Sequence, residues 1–188
     1  MKSIFLSFFL SALLGANAYA GPVLSAPTTS TSTGQFNINI DITGVSDLYA
    51  YQFDISFNPS ILAAITVSEG GFLSSAGSTS FVPGTIDNGT GIISFTADSL
   101  ISAISGANGS GTLAIISFNA LQDGVSALNI SNTLLLDSNL SDIAATTTSG
   151  SVTVSDTATV PEPTSWALVS TALIIGAWTR RNSFKRSI

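Results

Sequence analysis

Strict period-two alternation is the feature that most narrows what this chain can become. From Gln35 to Ile42, Phe36, Ile38, Ile40 and Ile42 fall on one face, and Gln35, Asn37, Asn39 and Asp41 on the other. Leu48 to Phe57 repeats the pattern with Tyr49, Tyr51, Phe53, Ile55 and Phe57 on the apolar face. Alternation of this length fits half-buried β-strands, and no comparable 3.6-residue period runs through the chain.

Further strands are expected at Ile61–Val67, Ser78–Val82, Gly91–Ala97, Thr112–Ala120, Ala127–Ile130, Thr133–Leu136 and Gly150–Val154. Asn58-Pro59, Gly70-Gly71, Asp87-Asn88-Gly89, Asn108-Gly109 and Asp123-Gly124 punctuate them as turns. Asn-Gly at 88–89 is the strongest hairpin signal among these. Within Thr112–Ala120 the phase slips at Ile115-Ile116, which a β-bulge or burial on both faces would explain. Leu100–Gly111 reads as a loop or short helical turn. Many short strands at this spacing predict an all-β sandwich or jelly roll.

The two ends carry different patterns. Lys2 precedes an apolar stretch from Ile4 to Leu14, and Ala18-Tyr19-Ala20 has the form of a signal-peptidase site. Residues 1–20 therefore read as a secretory signal, with Gly21 as the first mature residue. At the other end Pro161-Glu162-Pro163 is followed by an apolar run and then Arg180, Arg181, Lys185 and Arg186. As a helix, Thr164 to Thr179 would reach about 24 Å, short of the roughly 30 Å bilayer core. Trp166 and Trp178 sit near its ends, and the basic cluster predicts a cytoplasmic C-terminus. The two prolines keep the segment before the run extended and short of amide donors.

Between these ends the composition is exclusive. All five cations lie at Lys2, Arg180, Arg181, Lys185 and Arg186, whereas residues 21–160 hold ten acids and no Lys or Arg. Their formal charge is thus about −10. Nucleic acid is excluded as a partner, since binding it requires cations to displace counterions. The chain has no Cys and no His, which removes disulfides, Ser-His-Asp and Cys-His catalysis, and nearly all zinc sites. A carboxylate pair is the remaining catalytic option, and no pair among the ten acids stands out. The expectation is a protein that is not an enzyme.

Asp137, Asn139 and Asp142 have oxygen side chains at a spacing that would suit Ca²⁺, the one cofactor the sequence suggests, but they equally suit a solvated Asx-rich turn. Tyr49 and Tyr51 would stack on sugar if exposed; their alternation with Phe53 places them in the core instead.

Two resemblances add to this reading. VPEPTSWALVSTALIIGAWTRRNSFKR resembles the PEP-CTERM sorting signal of exported Gram-negative proteins. It implies transient anchoring in the inner membrane, with processing by an exosortase near Pro161, Glu162 and Pro163 and with Arg180 and Arg181 in the retaining basic cluster. The resemblance further implies delivery to the cell surface or extracellular polysaccharide matrix.

The second resemblance lies in FNINIDITGVSDLYAYQFDISFNPSILAAITVSEGGFL, GTGIISFTAD and GTLAIISFNAL, which look like a cohesin-type domain. That family implies a jelly-roll sandwich of about nine strands and binding of a dockerin module through one sheet face. Dockerin-binding members carry Asn and Asp just before the Phe that matches Phe53, where this chain has Ala50 and Gln52.

The expected organisation is residues 1–20 as signal peptide, 21–157 as the cohesin-like sandwich and 158–188 as the sorting signal. The expected function is non-catalytic binding or adhesion to a surface protein or polysaccharide. A carbohydrate-binding module on the same scaffold is the alternative. Signal peptidase and exosortase are the processing partners.

Overall fold

The computed structural model describes residues 21–156. The expectations at Ala18, Ala20, Pro161, Glu162, Pro163, Arg180 and Arg181 lie outside them. Among the described residues no helix is long and apolar enough to cross a membrane; the expected span also lies outside.

The described chain is a two-sheet β-sandwich with eleven strands rather than about nine. They are β1 (Val23–Ser25), β2 (Thr28–Thr31), β3 (Gly34–Leu48), β4 (Ala50–Ser56), β5 (Leu62–Glu69), β6 (Thr85–Asp87), β7 (Ile92–Ser99), β8 (Ala107–Ala120), β9 (Gly124–Leu136), β10 (Thr146–Thr148) and β11 (Gly150–Val154). One helical turn, α1 (Gly71–Ser74), follows β5 and buries Phe72 and Leu73. The first sheet runs β10-β1-β3-β8-β5 and the second β2-β11-β9-β4-β7-β6.

The extra strands arise because both ends of the domain change sheets. β1 pairs with β10 in parallel in the first sheet, and β2 with β11 in parallel in the second. The two crossings, at Ala26-Pro27 and at Ser149-Gly150, touch each other: a Cβ on Gly150 would lie 2.0 Å from the Pro27 carbonyl oxygen. Only glycine permits that approach. Segments this short, rich in Thr and Ser, carry no alternation strong enough to read as strands.

The alternating residues supply the core. Ile38, Ile40, Ile42, Leu62, Ile116 and Phe118 of the first sheet face Phe53, Ile55, Ile93, Leu128 and Val152 of the second, all essentially inaccessible. Phe118 centres the aromatic packing, edge-on to Phe57 at 5.2 Å and stacked on Phe36 at 6.0 Å between ring centroids. Such offset and T-shaped pairs are favoured by the ring quadrupoles.

Tyr51 is buried as alternation predicts, and its hydroxyl donates across the core to the Leu113 carbonyl oxygen at 2.6 Å. Tyr49 is only partly buried, and its hydroxyl donates to the Ser102 carbonyl at 3.2 Å.

Four expectations change in detail. Ala107–Gly111, expected within a loop with a turn at Asn108-Gly109, instead forms the first part of β8, where Ala107 pairs with Leu48 and Gly109 with Val45 of β3. The segments Ala127–Ile130 and Thr133–Leu136 belong to one continuous strand, β9, with an irregularity between Ser131 and Leu134. Ser78–Val82 is not a strand but a strap making two isolated bridges, Thr79 to Leu100 and Val82 to Ala97. The phase slip in β8 sits at Leu113, which has no partner between Ala114 and Thr112 in the register with β3, two residues before the expected position. The hairpin at Asp87-Asn88-Gly89 is present, joining antiparallel β6 and β7.

Candidate functional site

The outer faces of the two sheets differ in chemistry. On the first sheet the outward residues of β3 and β8 are mainly Asn, Ser and Thr, including Asn37, whose Oδ1 accepts the Ser117 hydroxyl at 2.5 Å. On the second sheet, outward positions of β4, β7 and β9 bring together Ala50, Gln52, Ala97, Leu134 and Leu136. Here a shallow recess of about 300 Å³ opens, walled by Phe95 and by Val82 of the strap. Leu134 is 40% exposed and Phe95 54%.

Asp54 organises this face. It lies in the outward row of β4, opposite an irregularity in each neighbouring strand. Its Oδ1 accepts the Phe95 N–H at 2.7 Å, and its Oδ2 accepts the Asn132 side-chain amide at 2.5 Å. Phe95 and Asn132 both have left-handed backbones, with φ of 60° and 48°. A left-handed backbone costs a bulky residue roughly 1–2 kcal/mol, and strain of this kind concentrates where structure serves function.

The consequence is geometric. Alternation from Ile93 would carry Phe95 into the core; the extra residue shifts the phase, so Thr96 and Asp98 turn inward and Phe95 outward. The strap accommodates the bulge beside it. Pro83 offers no N–H, and its carbonyl accepts the Thr96 hydroxyl at 3.3 Å. Gly84 follows at φ 80°, where a Cβ would meet the Ser94 carbonyl at 2.5 Å.

At one end of the sandwich, Asp47, near the end of β3, ties down the loops before β8 and after β9. Its backbone is left-handed, its Oδ1 accepts the Gly106 N–H at 2.6 Å, and its Oδ2 accepts the Ser138 hydroxyl at 2.7 Å. The Ser138 hydroxyl, then the Gly106 amide, holds the Asp47 carboxyl below the usual carboxylate range. The nearby calcium candidate is built as a turn: Asp137 Oδ1 accepts the N–H groups of Asn139 at 2.8 Å and Ser141 at 2.9 Å. Asp142 lies beyond, in an isolated bridge to Leu136. Among the described residues, no group of three or more His, Cys, Asp or Glu could hold a metal ion. Gly21, the expected first mature residue, stands at the start of the described domain, where a Cβ would lie 3.5 Å from the Ala144 carbonyl oxygen.

At the open edge between the sheets lies a third feature. Asp98, on the inward face of β7, is 3% exposed, and its Oδ2 has no hydrogen-bond partner. Burial first, then the charge of Glu69, pushes its carboxyl up to about 7, against the opposing pull of the Ser99 N–H. That amide reaches Asp98 Oδ1 at 2.8 Å.

The family model described as the cohesin domain matches residues 22–154. This chain belongs to the cohesin-domain family. Among solved structures, the non-cellulosomal cohesin of the archaeon Archaeoglobus fulgidus superposes with a TM-score of 0.59 at 14% identity, covering 74% of this chain and 94% of that one. A type I cohesin in a cohesin–dockerin complex from Clostridium thermocellum gives 0.61 at 14% identity, covering 72% and 99%. A cohesin from Clostridium acetobutylicum gives 0.58 at 23% identity, covering 74% and 94%. These likenesses establish the fold. No curated protein sequence matches the chain. Within the cohesin domain, the departure at Ala50 and Gln52 falls on the floor of the recess, so that floor is less polar than the dockerin-binding resemblance implies.

Proposed function

We propose that the chain is an exported, non-catalytic cohesin module that holds a partner protein against the outer face of its six-stranded sheet. The observation that carries this reading is the braced apolar face itself: Phe95 and Leu134 stand exposed beside a recess, and Asp54 fixes the strained strand segments that present them. Exposed apolar residues around a preorganised recess mark interaction sites.

The partner chemistry follows from the face and the charge. A dockerin-like domain would seat apolar side chains over Ala50, Ala97 and Leu134. Cations on its rim would complement a domain that has ten acids and no Lys or Arg. Sugar binding is less favoured, because Tyr51 is buried and Tyr49 packs against the core with its hydroxyl bonded to Ser102.

Delivery by the exosortase route is part of the proposal and rests on the order Pro161-Glu162-Pro163, apolar run, basic cluster. Replacing those three residues with alanine should leave the protein in the inner-membrane fraction; normal release would refute this part.

The binding part is tested by titrating dockerin-domain proteins of the same organism against the chain and its Phe95→Asp and Leu134→Asp variants. Binding lost in both variants, with the fold intact, supports the face. Binding unaffected by both, or found only to glycans on an array, refutes it.

A further inference from the structure

We propose that Glu69 and Asp98 form a shared-proton latch across the open edge of the sandwich, which holds the strap Ser78–Pro83 against β7 and lets it go as pH rises. Glu69 ends β5 in the first sheet and Asp98 lies in β7 of the second, so the pair joins the two sheets where no strand does. The strap lies over them. Thr79 donates its hydroxyl to Glu69 Oε1 at 2.7 Å. Ser80 and Val82 donate N–H groups to the Ser99 and Ala97 carbonyls, each at 2.8 Å.

The surroundings of Asp98 favour its protonated form. Asp98 Oδ2 is sealed from solvent without a hydrogen-bond partner; the Ser99 and Ser80 amides favour the charged carboxyl, but burial and Glu69, another carboxyl, oppose them more strongly. Two acceptors facing each other attract only if one carries hydrogen; ionised together, they repel in a poorly solvated site.

Neutralisation by other groups is not on offer. Residues 21–156 contain no Lys, Arg or His. From β4 comes Tyr51, whose hydroxyl is committed to the Leu113 carbonyl and whose pKa is raised by burial and then by Asp98 and Glu69. The Asp54 carboxylate of β4 is bound to Phe95 and Asn132 on the outer face. In β6, Asp87 accepts the amides of its own turn, and in β3, Asp41 accepts the Thr112 hydroxyl at 2.7 Å. α1, β8, β9 and the strap contain no titratable side chain.

A proton on Asp98 therefore closes the pair, and its loss sets two charges apart beneath the strap. Ser80 and Val82 of that strap also wall the recess, so opening it would unmake one side of the proposed binding face. This last consequence rests on the reading above; the latch does not.

The test uses the full-length chain and needs no partner. The Asp98 carboxyl carbon is followed by NMR against pH, and amide protection at Ser80 and Val82 is measured by hydrogen exchange. Asp98 should titrate near neutrality, and strap protection should fall roughly tenfold between about pH 5.5 and 8.5 while Ile38 and Ile116 hold. D98N, whose amide can donate to Glu69 at any pH, should keep the strap protected throughout. Titration of Asp98 in the ordinary carboxylate range overturns the latch, as does an unchanged pH dependence in D98N. Should D98N fail to fold, the wild-type carbon titration and exchange decide.

Discussion

Asp54 accepts the backbone N–H of Phe95 at 2.7 Å and so holds a bulky residue in the left-handed region, with its ring in solvent. Two substitutions separate support from contact. Asp54→Ala removes the brace on both Phe95 and Asn132 and should cost about 1–2 kcal/mol in urea unfolding. Partner affinity should drop with it. Phe95→Gly relieves the backbone and should leave stability within about 1 kcal/mol of wild type. It should nonetheless weaken the partner, as read by calorimetric titration.

Tyr51 tests the tie between sheets. Its hydroxyl shares the Leu113 carbonyl with the Gly70 N–H, which reaches it at 2.8 Å. Tyr51→Phe therefore leaves that carbonyl satisfied, and the loss should be only about 0.5–1.5 kcal/mol. A shift of the urea midpoint with an unchanged slope is the expected outcome.

Asn88 does more than turn the hairpin. Its Oδ1 accepts the Ala64 N–H at 2.8 Å and its Nδ2 donates to the Ala64 carbonyl at 2.9 Å. It thus caps the edge strand β5 and pins the hairpin of one sheet to the margin of the other. Asn88→Ala should cost about 1–2 kcal/mol and expose an edge prone to pairing with other chains. Thermal melting and light scattering on the same sample would measure both effects.

Stability should peak at mildly acidic pH. Asp98 has a raised folded pKa, so the folded state holds a proton that the unfolded state has released between about pH 4 and 7, and stability declines as pH climbs through that window. Asp47 and Asp87 are shifted the other way, Asp87 chiefly by the Thr90 hydroxyl and the Gly89 amide. Their contribution is present above their ordinary pKa of 3.8 and is lost as pH falls through the lowered folded values. Because the described domain lacks cations, acid neutralises it without building positive charge. Melting temperatures across pH should show a shallow acid limb that D47N flattens and a neutral limb that D98N flattens.

The core was legible because alternation registers directly which side chains leave water. Ile38, Ile40, Ile42, Phe53 and Ile55 are buried as their positions in the chain predict. The hairpin at Asn88-Gly89 was legible for a local reason, the demand of a tight turn for left-handed backbone. The outward turn of Phe95 was not. Ile93, Phe95 and Ala97 are in phase along the sequence, and a single unpaired residue reverses the phase midway. Nor did β1, β2 and β10 stand out. Their pairing is between the two ends of the domain, and stretches of three or four residues, Thr-rich in β2 and β10, hold no periodic signal.

By itself, the sequence determined the class of fold, most of its core, and a chemistry without Cys or His, in which residues 21–160 carry no Lys or Arg. These follow from composition and from neighbours one or two residues apart. The tertiary structure alone decided that Asp54 would meet Phe95 and Asn132, that Asn88 would cap Ala64, and that Asp98 would face Glu69. Each pair joins residues far apart in the chain, and their approach is set by strand register, bulges and sheet stacking, which no local pattern encodes.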